Sequence, residues 1–91
     1  MSKVIISRMQ AEFDEDNNLF AQLLSPIVVD TMEEAKRLIE EEVSSQYTDS
    51  GNYVVNDVTR HDAKDGSWVV TVWYEGYGDG CRAEWRATRV E

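Results

Sequence analysis

One stretch of this chain, TMEEAKRLIEEEV at residues 31–43, repeats its apolar residues at helical spacing, whereas the segments flanking it alternate. Asp30 or Thr31 can cap a helix there, and Glu34 follows Thr31 at the distance a capping box requires. Met32, Ala35, Leu38, Ile39 and Val43 then fall on one side, with Glu33, Arg37, Glu40 and Glu41 on the opposite side. A helix with one apolar stripe needs one apolar sheet face to cover it. Glu42 is the misfit, since its wheel position lies inside the apolar arc; a last turn that overhangs the sheet would let its carboxylate reach water.

The flanking segments supply the sheet. KVIISRMQAEF, residues 3–13, carries Ile5, Met9, Ala11 and Phe13 on one parity and Arg8, Gln10 and Glu12 on the other. After the turn formers DEDNN, LFAQLLS reads as a strand returning antiparallel, and Pro26 either ends it or places it on an edge. YVVNDVTRH and SWVVTVWYE form a second hairpin. Gly66, left-handed in its loop, would pair Ala63 with Ser67 and set Val58 opposite Val72. CRAEWRATRV is a fifth strand, with Cys81, Ala83, Trp85 and Ala87 on one face and Arg82, Glu84, Arg86 and Thr88 on the other. The expected fold is a single α+β domain over residues 1–91, order β-β-α-β-β-β, its one helix packed on one face of an antiparallel sheet. Trp68, Val70, Val72 and Tyr74 would look toward the helix, leaving Trp73 outside as a partner surface.

The loop EGYGDGC spaces its glycines as some nucleotide-binding loops do, yet it runs from strand into strand, and Glu75 and Asp79 would repel an anion. It reads as a wide turn presenting Tyr77 and Asp79. Because Glu75 to Gly80 is an even number of residues, Tyr74 and Val72 can share a face with Cys81 and Ala83.

Charge narrows the function. The chain has 91 residues, with 18 acidic against 9 basic and a formal net charge of -9, which disfavours nucleic acid and anionic membrane and favours basic partners. With 42% hydrophobic residues it should still fold. No signal-peptide or membrane-spanning pattern is present, so a soluble, cytoplasmic protein is expected. Cys81 is the only cysteine, which excludes an internal disulfide and a cysteine-based zinc site.

No constellation of catalytic residues is visible. Asp14 to Asn18 imitates the start of a calcium loop, but Leu19 stands where that loop needs glycine and Ser25 where it needs a bidentate glutamate. His61 has no second ligand and no base partner, since alternation places Asp62 on the opposite face. The serines lie outside any nucleophile motif. The expectation is a protein without catalytic residues, metal or cofactor.

Residues 30–50 concentrate more than half of the excess acid, in Asp30, Glu33, Glu34, Glu40, Glu41, Glu42 and Asp49 against Lys36 and Arg37. Glu33 and Arg37 are spaced to pair, whereas Glu40 to Glu42 crowd the negative end of the helix dipole. Spaced carboxylates imitate phosphates and compete for the Lys and Arg side chains that hold a nucleic-acid backbone. Arg82, Arg86 and Arg89, near Trp73, Trp85 and Tyr77, keep direct contact with nucleic acid open as a lesser alternative, although Glu84 lies between two of them.

In size, acidity and element order, with LFAQLLSPIVVD, the capped helix TMEEAKRLIEEE and a strand meander ending in WRATRV, the chain resembles small phage-encoded anti-CRISPR proteins, in particular inhibitors of the type I-F surveillance complex. The resemblance implies a viral protein acting in the host cytoplasm, which binds the RNA-guided complex and blocks target DNA. The partner-binding residues expected from the charge pattern are Glu33, Glu40 and Glu41, with Asp14, Glu15 and Asp16 at the hairpin tip and Tyr77 and Asp79 in the glycine loop. The competing expectation is a structural or oligomerising module that uses the outer sheet face around Trp73.

Overall fold

The capping pattern at Thr31 starts the helix. Thr31 Oγ1 accepts the backbone N–H of Glu34 at 3.1 Å, the Thr31 carbonyl accepts that of Ala35 at 3.1 Å, and helix α1 runs Met32–Gln46. The computed structural model describes residues 3–13, 19–46, 54–75 and 81–90. Around α1 in chain order stand β1 Lys3–Phe13 and β2 Leu19–Val29 before it, then β3 Val54–Asp62, β4 Trp68–Glu75 and β5 Cys81–Val90 after it.

All five strands join one antiparallel sheet in the order β2-β1-β5-β4-β3. The last strand in sequence is therefore the central one, pairing on one side with β1 and on the other with β4. It knits the two hairpins into a single surface. Helix α1 covers one face, where Ala35, Ile39 and Val43 pack with Val4, Ile6, Val70, Val72, Tyr74 and the inward row Cys81, Ala83, Trp85 and Ala87. The α+β arrangement, the order β-β-α-β-β-β and the inward faces of β4 and β5 are as the alternation predicts.

The β3–β4 turn also follows its sequence. Gly66 has φ +86, Ala63 N–H donates to Ser67 at 2.7 Å, and Val58 lies opposite Val72. Tyr74 lies opposite Cys81, as the even residue count requires.

Two expectations are corrected, the extent of β2 and the course of Glu42, and the inward parity of β1 is decided. In β1 the parity that faces the helix is Val4, Ile6, Arg8 and Gln10, so Ile5, Met9 and Ala11 lie on the uncovered face; the helix crosses β1 over its short apolar start and not over its longer apolar set. Strand β2 does not stop before Pro26 but continues to Val29. Pro26 thus takes the second of its two expected placements, on an edge strand, at a bulge where two residues, Ser25 and Pro26, oppose Ser7. Glu42 does not overhang the sheet. It turns into the helix–sheet interface and meets Arg8 of β1.

Strand β3, the other edge, has a matching irregularity between Val55 and Asp57. Each bulge resets parity, so that Leu24 and Ile27 in β2, and Val55 and Val58 in β3, share the helix-facing side although they stand three apart.

Candidate functional site

The crowded glutamates at the end of α1 each have an arginine. Glu40 takes a two-pronged grip from Arg60 of β3, Nε to Oε1 at 2.5 Å and Nη2 to Oε2 at 2.8 Å. That hydrogen bonding, assisted by the attraction between the charges and opposed by partial desolvation, holds the Glu40 carboxyl below its ordinary value and raises Arg60. Glu41 pairs with Arg37 one turn earlier at 2.9 Å. Glu42 pairs with Arg8 at 2.9 Å, and Arg8 Nη2 also donates to the Ser25 carbonyl at 2.7 Å.

This pattern changes what the acidic face can do. Glu40 ties the helix to β3, Glu42 ties it to β1, and Glu41 is held within the helix. The predicted Glu33–Arg37 pair does not form, because Arg37 points one turn forward to Glu41. Glu33 is exposed and has no cationic partner among the described residues. Asp30, just before the helix, pairs with Lys3. Of the partner-binding residues expected from the sequence, Glu33, Glu40 and Glu41 thus share the helix surface, Glu33 open and the other two paired. Asp14, Glu15, Asp16, Tyr77 and Asp79 lie outside the described residues.

The second surface is the face of the sheet that α1 leaves uncovered. Trp73 is 41% exposed there, with the Arg82 guanidinium 5.5 Å from its ring centre, which supports the expectation of an exposed Trp73. Its aliphatic neighbour Val69 is buried and adds no open apolar area. Exposed aliphatics stand elsewhere on the sheet instead, Leu23 at 80% and Val28 at 60% on β2 and Val90 at 42% at the end of β5. Sequence reasoning passed over the two on β2. The spacing of three between Leu24 and Ile27 is the signal that could have found them, since only a bulge brings both inward, and it leaves Leu23 and Val28 facing out.

At the rim of this face Asp65 accepts the Ser67 N–H at 2.9 Å, a backbone hydrogen bond that does most to lower its carboxyl below the ordinary value. Arg86 approaches the same carboxylate at 3.9 Å. Among the described residues Glu84, between Arg82 and Arg86, forms no salt bridge, so Arg86 finds its carboxylate in the turn.

Among the described residues no three His, Cys, Asp or Glu side chains gather as a metal site, and no pocket opens. His61 is exposed on edge strand β3, with Asp62 on the opposite side, and Cys81 is buried in the core. No helix of the described residues is long and apolar enough to cross a membrane. No family model matches the chain, and no curated protein or solved structure is detectably similar to it.

Proposed function

We propose that this protein is a non-enzymatic inhibitor that binds a basic surface of an RNA-guided CRISPR surveillance complex and denies that surface to target DNA. The observation that carries the reading is charge. A chain of 91 residues holds a net charge of -9, and the exposed first turn of α1 leaves Glu33 without a cationic partner among the described residues. An acidic surface of this kind competes for the lysines and arginines that neutralise a DNA backbone. The choice of a CRISPR complex as the target rests on the family resemblance in size, charge and element order.

The internal pairs redistribute the roles within this proposal. Glu40 and Glu41 add to the negative field but must exchange Arg60 and Arg37 to make direct contacts, whereas Glu33 needs no exchange. Asp14, Glu15, Asp16, Tyr77 and Asp79 remain proposed contacts on sequence grounds.

Affinity capture from a bacterial lysate tests the reading, with wild type compared against Glu33→Lys and against a Glu33→Lys, Glu40→Lys, Glu41→Lys variant. The expected result is recovery of subunits of an RNA-guided complex by wild type, loss with rising salt, and reduced recovery by the single variant. Equal recovery by all three proteins would remove the acidic-surface reading.

A further inference from the structure

Two adjacent rows of the uncovered sheet face differ in size and charge in a way that makes the face complementary to itself. One row runs Leu23, Met9, Glu84, Thr71, from β2 across β1 and β5 to β4. The next row, one pleat along, runs Ala21, Ala11, Arg82, Trp73 over the same four strands. Large faces small at the first two positions, carboxylate faces guanidinium at the third, and a short polar side chain faces the indole at the fourth.

We infer that this face is the interface of a symmetric homodimer, with a second copy of the chain packed sheet on sheet. A two-fold axis lying between the two rows and perpendicular to the strands sets each strand over its own copy. It exchanges one row for the other. Leu23 then meets Ala21 of the second copy, Met9 meets Ala11, and Glu84 meets Arg82, each contact occurring twice, while Trp73 lies over the row position of Thr71, which is already buried within its own chain. The alternation of large and small is what two sheet faces need in order to interdigitate at about 10 Å. The angle of roughly 30° between packed sheets leaves the contacts nearest the axis, on β5 and β1, in closest register. An axis through the Glu84 row would instead oppose Glu84 to itself and Arg82 to Arg86, so charge selects the placement between rows.

On β4 the outward Val69 at 1% and Thr71 at 7% are already buried within the chain, so the exposed apolar residues of this face are the ones a second copy would cover. Leu23 at 80% and Trp73 at 41% flank the paired charges, and both would be buried by the second copy. This dimer does not depend on the proposed inhibitor function, because it uses the face opposite α1 and its mass is read on the isolated protein.

Sedimentation equilibrium from low to high micromolar concentration is the test, on wild type, Arg82→Glu, Glu84→Arg, the Arg82→Glu, Glu84→Arg double variant, and Leu23→Asp, each checked for folding by circular dichroism. Wild type is expected at twice the chain mass. Each single charge reversal sets like charges across the axis and weakens association by about 100-fold, while the double reversal restores it to within about threefold. Leu23→Asp, at an exposed edge position, weakens association without touching the charge pair. The inference is overturned by a wild type that stays monomeric, by single variants that associate as tightly as wild type, or by a double variant no tighter than the singles.

Discussion

Arg8 and Glu42 show how a residue that violates its element's pattern can fix the packing of that element. Glu42 sits where the helical periodicity assigns an apolar side chain and Arg8 on the face of β1 that turns toward the helix, and each is less than one-fifth exposed, 17% and 19%. Neither charge could remain there alone, because desolvation would cost several kcal/mol. Together, with the Ser25 carbonyl at the bulge, they give Arg8 two acceptors and Glu42 a guanidinium donor; Arg8 Nε stays buried without an acceptor among the described residues. Glu42→Ala should therefore destabilise the fold by about 2–3 kcal/mol, and an Arg8→Met, Glu42→Leu pair should regain most of that loss. Urea unfolding midpoints measure both; a loss under about 0.5 kcal/mol for Glu42→Ala would mean the pair is a surface contact in solution. Glu40 gives a pH signature. Its folded carboxyl lies below the ordinary value because Arg60 hydrogen-bonds its charged form, so its contribution is complete above the unfolded pKa of about 4.3 and is lost as pH falls through the depressed folded value. Glu40→Gln should flatten that acid limb in a stability-against-pH series while leaving the slope near neutrality unchanged.

At the scale of elements, sequence and structure agree wherever local chemistry alone decides. The helix boundary follows from Thr31 and Glu34, the β3–β4 turn from Gly66, and the faces of β5 from strict alternation, and all three stand as read. Gly66 permits a clean test, since a Cβ added there meets nothing within 4 Å and only the left-handed backbone resists substitution. Gly66→Ala should cost about 1–2 kcal/mol in thermal or urea unfolding with the fold retained; no loss would mean that the turn relaxes. What local chemistry left open or misplaced depends on partners distant in sequence. β1 offers two partly apolar parities, and which one turns inward is decided by where α1 crosses it and by Glu42, 34 residues away from Arg8. The bulges on β2 and β3 hide in LLSPIV and VVNDV, where strict alternation breaks and a strand appears to end. Both lie on edge strands, where a local kink also discourages further strand pairing.

At the scale of the whole molecule, the two sides of the sheet have different chemistry. The helix side carries an acidic surface on which arginines of β3 and β1 tie Glu40 and Glu42 to the sheet and Arg37 pairs with Glu41 within the helix, leaving Glu33 as the one of the three expected there with no cation among the described residues. The other side presents Trp73, Arg82, Glu84 and the exposed aliphatics of β2. The sequence made the acidity plain, because charge is additive. It did not show which carboxylates were already occupied, because that depends on strand order and on arginines from β1 and β3. The two surfaces are separate, so a dimer formed through the sheet would display two acidic helices outward, toward a basic target. The most direct measurement is target-DNA binding by a purified type I-F surveillance complex, followed by gel shift while this protein is titrated in at low salt. The account predicts loss of the DNA-bound band near stoichiometric addition, with weaker inhibition by Glu33→Lys and at raised salt; an unchanged DNA-bound band at a large excess of wild-type protein would contradict it.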